Sequence, residues 1–147
     1  MELNMKLKTW MKDFEDQKLF DLILPGTHNS TSYDLSHCSF LFGNRVSCQN
    51  QPILRQLEDG VRAIDLRVIQ TLHRTQDSIY PCVEYWTGHG NRFVELELVL
   101  DTIFTFLKEN PSEFVFLCVA PDATPMNDNR PFCSCFKPDV QILDKIE

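Results

Sequence analysis

A histidine-bearing turn directly follows the first apolar run of the chain. The run Leu19 to Leu24 is typical of a β-strand, and Pro25 and Gly26 favour a turn after it. His28 therefore lies at the carboxyl end of this predicted strand, among the polar atoms of residues 27–30. Ligands of parallel sheets bind at that edge, and an imidazole with an ordinary pKa of about 6.5 can exchange a proton near neutral pH. The turn thus predicts a catalytic site at the end of this strand, with His28 as a general base.

A pair of opposite charges interrupts the next predicted strand, Val61 to Val68. Asp65 and Arg67 are two residues apart, so their side chains point to the same face. A charge pair inside a core-like strand is costly to bury, which favours a functional site over an ion pair on the sheet face. Arg67 offers a planar donor fork that suits phosphate, and Asp65 can orient Arg67 or accept a proton. The pattern predicts a phosphate-binding site.

A second histidine follows the third predicted strand, Ile79 to Thr87. His89 is bracketed by Gly88 and Gly90, which allow the backbone to approach a ligand closely. Of two imidazoles, one can accept a proton while the other donates one, as transfer at a phosphorus centre requires. The combination of His28 and His89 therefore predicts acid–base catalysis.

Strands alternate with helices along the chain. The remaining predicted elements are an amphipathic helix over Lys6 to Phe20, a loop over Ser32 to Gln49, a helix over Pro52 to Asp59 that buries Ile53, Leu54 and Leu57, a helix over Glu95 to Asn110, a strand over Phe114 to Val119, a loop over Pro121 to Pro138 and a last helix from Asp139 to Ile146. The strand over Phe114 to Val119 is continuously apolar, which is typical of a strand buried on both faces. The alternation predicts one α/β domain over residues 1–147, with a sheet of parallel strands.

Charge and cysteine content narrow the classes of function. A net charge of -7 excludes a general nucleic-acid-binding surface and favours only transient contact with a membrane. No signal peptide or membrane-spanning segment is recognisable, so a cytoplasmic protein with its six cysteines reduced is expected. Cys118 lies in an apolar strand and is predicted to be a small core residue. Cys133 and Cys135 lack a second matching pair, which argues against a zinc site.

The same residues make a metal site the weaker alternative. Asn29 and Asp65 offer oxygen ligands, but Ca²⁺ prefers about six to eight of them. Arg67 places a positive charge where a cation would lie. A site without a metal cofactor is therefore favoured, with Ca²⁺ at Asn29 and Asp65 as the minor alternative. His37 and His73 lie in polar or irregular surroundings and are predicted to be structural.

An ordered set of short motifs resembles the X region of phosphatidylinositol-specific phospholipase C. The motifs are Leu24 to Ser30, Gln56-Leu57 with Gly60-Val61-Arg62, Asp65-Leu66-Arg67, Gly88-His89-Gly90 and Asn110-Pro111-Ser112-Glu113. The match extends from about Leu19 to Val119, in the order of the family.

The resemblance implies a fold, a reaction and a set of roles. The family has a distorted TIM-type β/α barrel, in which the inositol 2-hydroxyl attacks the adjacent phosphodiester and releases diacylglycerol and a cyclic inositol phosphate. By resemblance His28 is the general base, His89 the general acid that protonates the diacylglycerol oxygen, and Arg67, assisted by Asp65, stabilises charge on the phosphate. Asn29 would contact the substrate.

The sequence also departs from the family pattern. Asp65-Leu66-Arg67 resembles the metal-independent bacterial type, whereas Asn29 matches the calcium-dependent type, and Ala120 stands where the two types carry Lys or Glu. An acidic residue from the second half of the barrel holds the base histidine in the family, and no counterpart is recognisable here. A TIM barrel takes about 250 residues, so this chain is expected to form roughly half of one.

Two alternatives follow from the short length. The chain could be an inactive homologue that binds phosphoinositide head groups or a partner. It could also self-associate, because half a barrel leaves open sheet edges.

Overall fold

The computed structural model describes residues 6–34, 47–73 and 82–122. The described elements are 3-10 helices at Leu7–Phe14 and Leu19–Asp21, strand β1 (Gly26–Thr27), helix α1 (Ile53–Glu58), strands β2 (Ala63–His73), β3 (Cys82–Gly88) and β4 (Arg92–Glu95), helix α2 (Leu96–Glu109) and strand β5 (Phe116–Pro121). Together they form a curled half-barrel sheet with helices, which confirms the predicted fold class.

Strand β2 is the centre of the sheet. Ala63 lies opposite both Gly26 of β1 and Phe116 of β5, so these two strands occupy opposite edges of β2. Val68 lies opposite both Thr87 of β3 and Pro121 of β5, so β3 is also on the edge away from β5. Strands β1 and β3 therefore follow one another along the same edge of β2.

The sheet is mixed, and the prediction of parallel strands throughout is wrong. Strands β1 and β5 run parallel to β2, but β3 is antiparallel to β2 and β4 is antiparallel to β3. Only residues 74–81 separate β2 from β3, and a parallel crossover needs about a dozen residues or more. Strand β4, which the sequence did not predict, follows β3 after the short turn 89–91.

One face of β2 packs on the helices. Ile64, Leu66 and Val68 are buried there, in a core to which α1 and α2 contribute Ile53, Leu57, Val99, Ile103 and Phe106. The predicted long helix is thereby confirmed. In α1 the buried stripe is completed by Gln56, whereas Leu54 is 44% exposed, contrary to the prediction. Gln56 occupies this position because its amide is satisfied by Thr27, by the backbone carbonyl of Ser30 and by that of residue 51.

The amino-terminal predictions are wrong in detail. The helix predicted over Lys6 to Phe20 is a 3-10 helix at Leu7–Phe14 with a break at Thr9. The strand predicted over Leu19 to Leu24 is a short 3-10 turn followed by extended chain, and β-pairing begins only at Gly26. Phe20 and Ile23 are 97% and 95% exposed, because within the described ranges no strand pairs with this run.

Strand β5 is displaced from its predicted range and is not buried on both faces. Phe116 is 54% exposed and Val119 is 40% exposed. Within the part of the chain that the structure describes, β5 pairs only with β2, which leaves its outer edge open. The predicted helix over Asp139 to Ile146 lies outside the described residues, as do Cys133 and Cys135.

A buried ion pair fixes the amino-terminal end of β2. Arg62 donates from Nη2 to Oε2 of Glu113 at 2.6 Å and from Nε to the same oxygen at 2.9 Å, and both side chains are 0% exposed. Arg62 also donates to the carbonyls of Leu57 and Lys8. The ion pair therefore joins the first 3-10 helix, α1 and β2.

Among the described residues no helix is long and apolar enough to cross a membrane.

Candidate active site

The turn after β1 is fastened to the middle of β2. The backbone N–H of Ser30 donates to the carbonyl of Asp65 at 2.9 Å, and the backbone N–H of Asp65 donates to Oγ of Ser30 at 2.9 Å. Asn29 adopts a left-handed conformation with φ of 46°, which Asn tolerates better than most residues. The reversal places His28 beside Asp65.

His28 contacts the carboxylate of Asp65. Nδ1 of His28 lies 2.9 Å from Oδ2 of Asp65, and the His28 side chain is 67% exposed while that of Asp65 is 14% exposed. A carboxylate on Nδ1 fixes the orientation and tautomer of an imidazole and leaves Nε2 to meet a substrate. Asp65 is therefore the carboxylate that holds His28, a contact that the sequence did not reveal.

Arg67 lies on the same face of β2 as Asp65, as the two-residue spacing predicted. Its Nε donates to Oδ1 of Asp65 at 3.0 Å, and its side chain is 37% exposed. The guanidinium therefore keeps part of its donor fork open toward solvent, where an anion can bind.

Several charges and dipoles meet at Asp65. Partial burial acts to raise its pKa, but the N–H of Asn29, the hydrogen bond and charge of Arg67 and the charge of His28 together lower the pKa below its ordinary value of 3.8. The carboxylate is therefore ionised at neutral pH and can stabilise a protonated His28.

His89 has its own carboxylate neighbour, Asp122. Nδ1 of His89 lies 3.8 Å from Oδ1 of Asp122, and the backbone N–H of Gly90 donates to Oδ2 of Asp122 at 2.6 Å. The Asp122 side chain is only 5% exposed, whereas that of His89 is 48% exposed. Sequence reasoning missed Asp122 because it placed the residue in the loop over Pro121 to Pro138. Its position directly after an apolar strand was the available signal.

The sheet register brings the two histidines to one edge. Thr27 lies opposite Ile64, so β1 delivers His28 beside Asp65. Thr87 lies opposite Val68 and β3 runs the other way, so His89 follows two residues later on the Arg67 side. The histidines thus approach the Asp65–Arg67 pair from opposite ends of the same edge of β2.

Asn29 is 3% exposed and lies beneath this edge. Its Nδ2 donates to Sγ of Cys48 at 3.6 Å, and its Oδ1 has no hydrogen-bond partner within the described residues. The carboxylate of Asp65, the other predicted oxygen donor, is already engaged by His28 and Arg67. In the described ranges no group of three His, Cys, Asp or Glu side chains could hold a metal ion.

A cavity of about 270 Å³ adjoins His28 and Asp65. Cys118 lines it from β5, opposite Asp65 in the register, and is exposed. The prediction that Cys118 is a core residue is wrong, because β5 turns this side chain toward the cavity on the inner face of the half-barrel. Ala120 lies opposite Arg67 and brings no charge to the site. His37 lies outside the described residues, and His73 ends β2.

The sequence and the fold match one family. Residues 23–135 match the family described as phosphatidylinositol-specific phospholipase C, X domain. The 1-phosphatidylinositol phosphodiesterase of Listeria monocytogenes is 32% identical over 138 residues, which cover 92% of this chain and 38% of the relative.

Solved structures of bacterial enzymes share the fold. The phosphatidylinositol-specific phospholipase C of Listeria monocytogenes superposes with a TM-score of 0.62 at 28% identity, over 95% of this chain and 46% of that protein. The Staphylococcus aureus phosphatidylinositol-specific phospholipase C, in a structure on the modulation of membrane binding, gives a TM-score of 0.61 at 24% identity, over 80% of this chain and 36% of that protein. The chain thus spans less than half the length of these relatives. It belongs to the phosphatidylinositol-specific phospholipase C X-domain family.

Proposed function

We propose that the site cleaves the phosphodiester of phosphatidylinositol or a related inositol phospholipid. The observation that carries the proposal is the contact of Asp65 with both His28 and Arg67, with His89 directly following β3 on the same edge of β2. Membership of the family and the name of the Listeria relative support the same reaction.

In this mechanism each side chain moves or stabilises a defined charge. Nε2 of His28 removes the proton of the inositol 2-hydroxyl, and the resulting oxygen attacks phosphorus. The bond from phosphorus to the diacylglycerol oxygen breaks, and His89 donates a proton to that oxygen, which gives diacylglycerol and a cyclic inositol phosphate. Arg67 stabilises charge on the non-bridging phosphate oxygens. Asp65 holds His28 through Nδ1 and stabilises its protonated form.

We propose that this chemistry needs no metal cofactor. The guanidinium of Arg67 lies 3.0 Å from the carboxylate that Ca²⁺ would need, and it supplies the positive charge for the phosphate. Cleavage that is unchanged by a calcium chelator is the expected result, and loss of cleavage restored by Ca²⁺ would contradict the proposal and favour the alternative of a calcium site.

The substrate implies a transient encounter with a membrane surface. A net charge of -7 favours brief contact over tight electrostatic docking on anionic lipid. The Staphylococcus aureus homologue, whose membrane binding is the subject of its structure, supports contact with lipid. We further propose a cytoplasmic location, which the unpaired thiol of Cys118 supports. Cell fractionation tests it.

Within the described residues the outer edge of β5 has no partner strand, which favours self-association; an inactive homologue that binds phosphoinositide is a separate alternative. Phe116 is 54% exposed next to this edge, and pairing with a second copy would cover it. Light scattering that gives a dimer mass supports self-association, and a monomer mass at all concentrations contradicts it. Binding to phosphatidylinositol vesicles without turnover, lost in Arg67→Ala, would favour the binding function.

The direct experiment measures release of cyclic inositol phosphate from phosphatidylinositol vesicles by ³¹P NMR. The wild type is compared with His28→Ala, His89→Ala and the matched control Asp101→Asn, which changes an exposed residue on α2. We expect both histidine variants to lose at least about 100-fold in rate and the control to keep it. Equal rates in all four proteins would contradict the catalytic assignment.

A further inference from the structure

Asp122 extends the sheet through its backbone, but its side chain is a nearly buried carboxylate that the sheet does not explain. It follows β5, where its backbone N–H donates to the carbonyl of Val68 at 2.9 Å and extends the ladder. The side chain points toward the turn that carries His89 and is only 5% exposed. Burying a carboxylate is unfavourable unless it is hydrogen-bonded and close to a positive or polarisable group.

The side chain of Asp122 is committed to the turn that carries His89. Oδ2 accepts the backbone N–H of Gly90 at 2.6 Å, and Oδ1 lies 3.8 Å from Nδ1 of His89. The turn requires its glycines, because Gly90 has φ of 69° and a side chain at Gly88 would collide with the backbone of Asn91. Glycine permits many backbone conformations, and the hydrogen bond from Gly90 to Asp122 favours this one.

The arrangement parallels the one at His28. In both places a carboxylate faces Nδ1 of an exposed histidine and also accepts a backbone N–H from the residue after that histidine. The distances differ, at 2.9 Å for His28 and 3.8 Å for His89. The longer distance exceeds that of a hydrogen bond, and catalytic hydrogen bonds are commonly long before substrate binds.

We propose that Asp122 is the positioning residue of His89, a proposal that deepens the proposed function and rests on it for its catalytic part. Asp122 accepts Nδ1–H, directs Nε2 toward the leaving oxygen and stabilises the protonated ring. When the bond between phosphorus and the diacylglycerol oxygen breaks, the proton on Nε2 passes to that oxygen. The neutral ring keeps its proton on Nδ1, which donates a hydrogen bond to Asp122. Asp122 itself touches neither the substrate nor the reacting atoms.

The first test exploits the leaving group. A diacylglycerol alkoxide needs a proton as it leaves, whereas the weakly basic aryl oxide of an inositol aryl phosphodiester does not. Asp122→Asn keeps an oxygen for the Gly90 N–H but removes the negative charge. We expect it to slow cleavage of phosphatidylinositol by about 10- to 100-fold and of the aryl substrate by less than about 3-fold, since general acid catalysis contributes about 10²–10⁴-fold.

Reference variants separate this effect from misfolding. His28→Ala should lose cleavage of both substrates, because the attack on phosphorus is common to them. Asp101→Asn should cleave both at the wild-type rate. Asp122→Glu, which restores the charge, should recover part of the lost rate on phosphatidylinositol. An equal loss on both substrates in Asp122→Asn, or no loss on either, would overturn the proposal.

The second test needs no turnover. In the wild type, the ¹⁵N chemical shifts of the His89 ring should report a proton on Nδ1 at pH values where the ring is neutral, and Asp122→Asn should move the proton toward Nε2. A neutral His89 protonated on Nε2 in the wild type would overturn the proposal even if the variant failed to fold. If the wild type cleaves neither substrate, the proposed function fails while this measurement still decides whether Asp122 positions His89.

Discussion

The ion pair of Arg62, directly before β2, and the ion pair of Arg67, within β2, serve different purposes. Arg62 and Glu113 are 0% exposed, and the guanidinium donates to a carboxylate and several backbone carbonyls. Asp65 and Arg67 lie on the opposite face, with side chains 14% and 37% exposed, and the Arg67 fork remains partly open. A guanidinium whose donors are all satisfied by the protein stabilises the fold. One that keeps donors exposed beside a histidine can bind an anion.

The largest effect is expected from breaking the buried pair. Glu113→Ala leaves the Arg62 guanidinium buried between Trp10 and Phe106 without its counter-charge. We expect the free energy of unfolding, measured by urea denaturation, to fall by about 3–5 kcal/mol. The control is Glu58→Ala, which removes a half-exposed partner of Arg55 and should cost less than about 1 kcal/mol. Similar costs for the two variants would contradict the structural assignment of the buried pair.

Removing the open guanidinium should affect activity and spare stability. Arg67→Ala is expected to reduce the rate of phosphatidylinositol cleavage by about 10²–10³-fold, as for other groups that stabilise charge in a transition state. The free energy of unfolding should change by less than about 1 kcal/mol, because the pair with Asp65 is partly exposed. The matched control Arg55→Ala, an exposed arginine on α1, should leave the rate unchanged. A loss of stability comparable to that of Glu113→Ala would erase the distinction between the two pairs.

The sequence predicted the second pair far better than the first. Turn and spacing rules act locally, so the placement of His28 after a strand and the common face of Asp65 and Arg67 could be predicted without tertiary information. Arg62 lies inside the predicted strand Val61 to Val68 without a local partner, and its role depends on Glu113, which lies 51 positions away. Nothing near Arg62 in the sequence indicates that partner.

Strand directions and edges were also beyond local reasoning. The run Leu19 to Leu24 has strand composition, but a strand also needs a partner edge, and the described residues give it none before Gly26. Phe116 and Cys118 are apolar yet exposed for the same reason, since among the described strands β5 pairs with β2 alone. Asp122 comes close to His89 because β5 and β3 both end beside Val68 of β2, where Pro121 and Thr87 are its partners.

Acid should weaken the site pair in a predictable direction. The pKa of Asp65 is lower in the folded protein than its ordinary value of 3.8, so its ionised form stabilises the fold above that pH. This stabilisation is lost as the pH falls below about 4 through the folded-state pKa. The difference in free energy of unfolding between wild type and Asp65→Asn, about 1 kcal/mol for a partly exposed ion pair, should therefore shrink between pH 5 and pH 2. A difference that grows as the pH falls would reverse the assigned direction of the pKa shift.

The smallest effect is expected on the site face of the sheet. Cys118 lies opposite Asp65 and is exposed, so Cys118→Ser should change the free energy of unfolding by less than about 0.5 kcal/mol. Ile64, the neighbour of Asp65 on the opposite face of β2, is 0% exposed, and Ile64→Ala should cost about 2–5 kcal/mol. Urea denaturation of the two variants compares the faces directly. A cost above about 2 kcal/mol for Cys118→Ser would mean that this side chain is packed in a core, and that the face carrying Asp65 and Arg67 is covered rather than open to a substrate.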